Sequence, residues 1–267
     1  SDPDSKSISV ALSGGVDSSL VLALLKKSLP NSKINSFSIK FSNSIDESEQ
    51  AAKIAESLDV EHKTILLDNY LLELPKAISI IKEPFWDLHF YHVAKNSQDH
   101  DYLLSGDGAD EIFAGYVFRY KKFLQSVTEK STPLEKVKAY LACHERDWIP
   151  EQEEIFSEKM DFSWEKIHSL LLPYFDNSLC LLDQVILADF NGKLLHNWSP
   201  LFSQISKSFN IKLVTPILSK ETIDYAFSIP SHLKYDQNSN TGKLLLRKLL
   251  SKYVDKSLMQ TKKQGFT

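Results

Sequence analysis

Apolar and polar residues follow one another along this chain in blocks that predict its elements. The run Ile8-Ser9-Val10-Ala11-Leu12 gives way to the small residues Ser13-Gly14-Gly15, and these to Leu20-Val21-Leu22-Ala23-Leu24-Leu25. A buried strand, a tight turn and a helix are the elements that order predicts. Asn35-Ser36-Phe37-Ser38-Ile39-Lys40-Phe41 alternates and reads as a second strand. Ser44-Ile45-Asp46-Glu47 reads as a helix start, with Ala51, Ala52, Ile54, Ala55 and Leu58 at helical spacing behind it. Glu61 to Leu67 reads as a third strand, followed by helix to about Ile81 and a break at Glu83-Pro84. A helix around His92 to Ser97 precedes a short strand at Tyr102-Leu103-Leu104.

Strands that alternate with helices predict an α/β fold, a doubly wound parallel sheet covered on both faces. Such sheets take ligands at the carboxyl ends of their strands, and both glycine-bearing turns of this chain, at Ser13 and Ser105, fall there. From Lys121 onward the segments turn helical and amphipathic, broken at Trp148-Ile149-Pro150, with one later strand at Ile211-Lys212-Leu213-Val214. The expected organisation is an α/β core over residues 1–120 and a mostly helical lobe over 121–267 that packs on it.

Composition narrows the class. The 267 residues are 42% hydrophobic and 25% charged, as in ordinary globular proteins. A net charge of −4 and a pI near 6.1 argue against broad nucleic-acid binding. Cys143 and Cys180 lack metal-ligand spacing and predict a reducing compartment without a disulfide framework. With no bilayer-length apolar run and no secretory signal, a cytoplasmic protein without membrane contact is expected.

The two turns carry the chemistry. Gly14 and Gly15 let backbone N–H groups crowd round an anion, and the following helix N-terminus adds partial positive charge. Ser13, Ser18 and Ser19 offer hydroxyls, and Asp17 stands where an acid can hold a metal ion against phosphate. The spacing is neither the Walker loop nor the dinucleotide fingerprint. The second turn, Ser105-Gly106-Asp107-Gly108-Ala109-Asp110-Glu111, gathers three carboxylates within five residues. A divalent cation or developing positive charge would relieve their repulsion.

Ser-Gly-Gly-Val-Asp-Ser-Ser at 13–19 resembles the loop of the N-type ATP pyrophosphatases, which include asparagine, GMP and NAD synthetases and tRNA-modifying enzymes. Ser105 to Tyr116, in the pattern Ser-Gly-Asp-Gly-Ala-Asp-Glu-x-Phe-x-Gly-Tyr, is similar to the synthetase domain of asparagine synthetase and its relatives, β-lactam synthetase and macrolactam-forming cyclases among them. Val214 to Leu218, Ile229-Pro230 with Lys234, Gly242 to Arg247 and Lys262 to Phe266 fit the same family in order. The resemblance implies an adenine nucleotide α-hydrolase-like fold and ATP with Mg2+ as cofactors. It implies adenylation of a carboxylate, attack by a nitrogen nucleophile, and release of AMP and pyrophosphate.

Residue by residue, it implies adenine held at Leu12 and Ile39, and pyrophosphate at Ser13, Gly14, Gly15, Asp17 and Ser18. Ser105 and Gly106 match positions near ribose and the α-phosphate, and Asp17 and Asp110 match Mg2+ carboxylates. Asp107, where relatives carry Glu or Tyr, and Lys263 match catalytic positions; Lys243 and Arg247 are further cations for the phosphates. His62 reads as a structural strand residue. Trp86, His89 and His92 fit either the acceptor pocket, which the helical lobe completes, or aromatic core.

The chain also departs from the family. It begins at the ATP domain, so ammonia is expected free or from a separate glutaminase subunit. Ser203 to Lys207 and Ile211 to Pro216 lack one carboxylate and two arginines of the family's elements, which puts aspartate in question as the acceptor and leaves ATP chemistry untouched. The default activity is asparagine formation. The alternatives are amide or lactam formation on another metabolite or peptide, RNA modification, and a non-catalytic nucleotide sensor. The resemblance leaves room for a homodimer.

Overall fold

The structure, a computed structural model, describes residues 6–42, 48–83, 88–144, 156 and 161–259. The expected Ser44 helix start, the Trp148 break, Trp86 and Lys263 lie outside them. The described chain divides into two compact units. The first comprises residues 1–109, 196–225 and 245–267, and the second residues 110–195 and 226–244.

The first unit is built on a five-stranded sheet in the order β3-β2-β1-β4-β5, parallel throughout. Its strands are β1 (Ile8–Ala11), β2 (Ile34–Phe41), β3 (Glu61–Leu67), β4 (Tyr102–Leu104) and β5 (Lys212–Val214). The predicted strands match these to within a residue or two. Parallel strands require crossovers, and here they are α1 (Val16–Ser28), α2 (Ser48–Ser57), α3 (Leu74–Ile81) and α4 (His89–Asn96). A last crossover helix, Ser199–Ser208, leads into β5.

Strand parity sorts the two faces. Phe37, Ile39, Ile65, Leu103 and Leu213 point to the face covered by α3, α4 and the Ser199–Ser208 helix, where Leu88, Phe90, Tyr91, Phe202 and Ile205 complete an apolar core. The opposite face packs α1 and α2 through Leu20, Val21, Ala51, Ile54 and Ala55. From β1 the chain winds outward to β2 and β3, then returns to the far side of β1 as β4. Strand order therefore reverses between β1 and β4, and this switch point opens the crevice that α/β sheets use for ligands.

Residues 196–225 and 245–259 belong with the sheet, so the compact units run differently from a simple cut near residue 120. The cause is topological: β5 lies parallel to β4, so the chain must run back through the Ser199–Ser208 helix and enter β5 at the amino end of the sheet.

The second unit is helical. It holds α5 (Ala109–Ile112), α6 (Val117–Ser126), α7 (Pro133–Ala142), α8 (Trp164–Phe175) and α9 (Leu181–Asp189). A π-helical stretch, Phe190–Trp198, follows and leads into α10, the Ser199–Ser208 helix of the first unit. Helices α11 (Lys220–Ser228) and α12 (Leu244–Leu250) close the series. Thr132 and Glu135 form a reciprocal capping box at α7, with Pro133 in the first turn. Tyr120, Phe123, Val137, Tyr140, Phe175, Val185 and Ile186 make the core.

One charged pair crosses this core. Arg119 Nη1 lies 2.9 Å from Asp189 Oδ1, and the Tyr140 hydroxyl donates to the same oxygen at 2.8 Å. Burial pushes the Asp189 carboxyl up, and Arg119 and Tyr140 oppose that push. Removing one partner of a buried pair strands a charge and costs about 3–5 kcal/mol. Arg119→Met should lower the unfolding free energy in urea by that amount, and Arg119→Met/Asp189→Leu should recover much of the loss.

Candidate active site

The first turn is a cradle of backbone and hydroxyl groups ahead of the thirteen-residue α1. Gly14 sits at φ +76°, where glycine is favoured, and a Cβ there would press on Gln50 and the Ala51 amide. Ser18 ties the turn together: its hydroxyl accepts from the Ser13 amide at 3.2 Å and lies 3.1 Å from the Ser13 hydroxyl. The Gly15 amide donates to Ser13 Oγ at 3.3 Å. Asp17 stands in the first turn of α1, facing the guanidinium of Arg247, which burial drives down and Asp17 draws up.

The second turn meets the first. A Cβ on Gly106 would lie 2.7 Å from the Ser18 amide nitrogen and 2.8 Å from the Asp17 carbonyl carbon. The bare backbone of one turn thus packs on that of the other across the β1–β4 switch point. The Ser105 amide donates to the Val214 carbonyl at 3.1 Å, extending β4 against β5. Asp107 folds back on its own turn, accepting from the Ser105 hydroxyl, while its amide donates to Ser105 Oγ at 3.2 Å. Gly108, at φ +89°, leaves room for the Leu218 side chain.

The structure therefore brings Leu12, Ser13, Gly14, Gly15, Asp17, Ser18, Ser105, Gly106 and Asp107 to the carboxyl ends of β1 and β4. The Leu12 amide donates to the Phe37 carbonyl at 2.8 Å. Ile39 lies near the carboxyl end of β2, paired with Ile65 and packed against the core. His62 is a structural residue: Ser36 and Ser38 hydroxyls lie 2.9 and 3.0 Å from its two ring nitrogens, and burial drives its pKa down. His92 is buried within α4.

Asp110 and Lys243 lie in the second unit, as an ion pair with Nζ 2.7 Å from Oδ1. Gly115 makes that pair possible, because a Cβ there would overlap both the Asp110 carboxylate and the Lys243 side chain. Next along α5, Glu111 is buried and accepts from the Tyr116 hydroxyl at 2.6 Å. The Arg119 guanidinium lies 3.9 Å and the Lys193 ammonium 5.1 Å from the centroid of the Tyr116 ring. Sequence reasoning missed this arrangement, since nothing local marks Arg119 or Asp189 as partners 70 positions apart.

The family model described as asparagine synthase matches residues 4–267. The chain belongs to the asparagine synthase family. It is 28% identical over 290 residues to asparagine synthetase (glutamine-hydrolyzing) 1 of Bacillus subtilis strain 168, an alignment that covers 96% of this chain and 45% of that protein. It is 26% identical over 132 residues to the Bos taurus asparagine synthetase (glutamine-hydrolyzing), covering 43% of this chain and 23% of that one. The chain spans about half the length of the Bacillus relative or less. Among solved structures, the NH3-dependent NAD synthetase of Campylobacter jejuni aligns at 17% identity, over 74% of this chain and 90% of that one, with a TM-score of 0.31. A score that low carries no argument, and the sheet described above establishes the fold.

In this member of the asparagine synthase family the second signature thus divides into two jobs. Ser105 to Gly108 meet the first turn, and Asp110 to Tyr116 build a buried polar cluster around the Lys243 pair. Gly115→Ala should overpack that pair and lower stability by about 1–3 kcal/mol in chemical unfolding. Gly192→Ala, where nothing lies within 4 Å of the added carbon, should stay within about 0.5 kcal/mol of the parent.

The Glu111 carboxyl is pushed up to about 7 from 4.5, first by burial and then by Asp110, against the Tyr116 hydrogen bond. The folded chain binds this proton more tightly than the unfolded chain does. The stabilising contribution is therefore whole below pH 4.5 and is lost as pH rises through about 7. Glu111→Gln should flatten that part of the stability–pH curve, read by urea unfolding at each pH.

Proposed function

We propose that the chain is the ATP-activating part of an amide-forming ligase. ATP and a carboxylate give an acyl-adenylate and pyrophosphate, and a nitrogen nucleophile then displaces AMP. The observation that supports this most is the packing of Gly106 on the Asp17–Ser18 backbone at the strand switch point. Any Cβ would fill that notch, and a polyphosphate needs such close backbone approach.

The roles proposed are those that the family resemblance implies. Leu12 and Ile39 flank the place for adenine. Ser13, Gly14, Gly15 and Ser18 offer amides and hydroxyls to the β- and γ-phosphates, and Ser105 and Gly106 stand by the ribose and α-phosphate. Among the described residues no three metal-ligating side chains cluster, and Mg2+ on a nucleotide needs only one or two carboxylates beside the phosphates. Asp17 and Asp110 are the carboxylates that the family resemblance assigns to the ion. The bound ion would offset phosphate charge and polarise the α-phosphorus. Lys243 and Lys263 add cations where negative charge develops, and Asp107 accepts a proton from the attacking amine.

With aspartate as acceptor the product is asparagine, the compound in the relatives' names. The nitrogen then comes from free ammonia or from glutamine hydrolysed in another domain or subunit. No described helix is long and apolar enough to cross a membrane.

Purified protein with Mg-ATP, ammonia and a panel of carboxylates should release pyrophosphate in a carboxylate-dependent way. Asp17→Ala should cut that release by about a hundredfold or more while circular dichroism stays unchanged. Undiminished release would remove the metal role of Asp17, and release independent of every carboxylate would overturn the ligase reading.

A further inference from the structure

The chain that follows α12 returns to the first turn. α1 starts at the carboxyl end of β1 and runs back along the sheet, so Lys27, in its last turn, stands at the amino end. There its ammonium donates to the Tyr253 hydroxyl at 3.3 Å and lies 5.2 Å from that ring's centroid. The next residue, Val254, is buried. Leu258 then ends a 3-10 helical turn, Lys256–Leu258, which packs on α2. α2 follows β2 and so starts at the carboxyl end of the sheet. Tyr253 to Leu258 therefore climbs from one end of the sheet to the other, within the first unit.

Gln50 meets it there. It sits in the first turn of α2, half-buried. Its stem packs on the phosphate turn: a Cβ on Gly14 would lie 3.2 Å from Gln50 Cβ and 3.3 Å from its Cγ. Its amide donates to the Leu258 carbonyl. One side chain thus touches both the Gly14 backbone and the chain that leaves the Lys256–Leu258 turn. That turn is closed on itself. Asp255 Oδ1 accepts from the Ser257 amide and hydroxyl, each at 2.8 Å. The Leu258 and Met259 amides donate to the Asp255 and Lys256 carbonyls at 3.0 and 3.1 Å. Holding a glutamine in one rotamer costs conformational entropy, and a bond to so fixed a carbonyl offsets it.

We infer that Gln50 is a positioning residue, which fixes to the phosphate turn the point from which Lys262 and Lys263 depart. This deepens the ligase reading and rests on it. The two lysines follow Leu258 by four and five residues, and a stretch of five residues reaches at most about 17 Å. A cation on so short a tether stays at an effective concentration on the order of millimolar beside an anion bound at Gly14 and Gly15. Without the bond to Leu258 the same lysines would swing on a longer stretch of chain, back to buried Val254, and meet the anion less often. Gln50 brings no charge of its own and acts through theirs.

The test uses the full chain, with inorganic tripolyphosphate and Mg2+ as the probe. Gln50→Met keeps the length of the side chain and its packing on Gly14 and removes the donor. Amide hydrogen exchange over residues 256–259 should run about fivefold faster in Gln50→Met than in the parent, as one lost hydrogen bond predicts. Affinity for tripolyphosphate, read by calorimetry, should fall about fivefold with it. In a Lys262→Ala/Lys263→Ala background, Gln50→Met should cost no further affinity, because nothing is left to position. The same chains are assayed for carboxylate-dependent pyrophosphate release.

Equal exchange or equal affinity in Gln50→Met and the parent would overturn the tether. A loss of affinity that persists without the two lysines would overturn the positioning role, since a side chain that only props the Gly14 turn gives that additive result. A parent that releases pyrophosphate but has no affinity for tripolyphosphate would overturn the positioning role and uphold the ligase. The expected cycle with no pyrophosphate release for any acid would overturn the ligase reading and keep the tether.

Discussion

Everything at the carboxyl end of this sheet depends on two stretches of backbone touching. Gly106 lies against the Asp17–Ser18 peptide with no room for a side chain. β1 and β4 are hydrogen-bonded neighbours, so the turns that leave them are forced together. A polar turn would ordinarily hold water in such a gap. Here the hydroxyls of Ser13 and Ser18 bond each other and the turn's own amides, which keeps the donors ordered before any ligand arrives. A site arranged in advance loses little entropy when an anion binds.

The sheet was legible in the residues because parallel strands are buried on both faces and leave near-continuous apolar runs between helical segments. Ile8 to Ala11, in the middle of the sheet, shows it clearly, whereas Glu61 to Leu67 is an edge strand and largely exposed. The Ser13 and Ser105 turns were legible for a related reason, since glycine is required where backbone must approach backbone. What sequence could not show is how distant segments share one body. β5 is three residues long, too short to carry a period, and its place beside β4 is settled by hydrogen bonds from Ser105 and Lys212 to partners far off in sequence. Arg119 and Asp189 could not be paired either. Each looks like an ordinary charge on an amphipathic helix, and only folding removes both from water.

The buried polar cluster around α5 has a cost and a consequence. Glu111, Asp110 and Asp189 place like charges close together at low exposure. Such a set is tolerable where each member has a fixed partner: Tyr116 for Glu111, Lys243 for Asp110, Arg119 for Asp189. Buried polar networks with fixed partners of this kind help to specify one arrangement. That suits a segment whose carboxylates must stay ionised or protonated at set positions rather than drift with side-chain rotamers. Gly115 belongs to the same logic, because the pair it admits would be broken by one added methyl group.

Two kinds of surface are thus built into one chain from different materials. The surface that suits a nucleotide is mainly backbone, held by glycines and hydroxyls, and few substitutions can alter it without closing it. The surface on the other face of the sheet end is made of side chains, His89, Trp198 and Phe202, standing on helix starts. Side chains can be exchanged while the helices stay where the core holds them. A fold divided in this way can vary one surface without moving the other. Constraint and freedom are therefore separated by what each surface is made of.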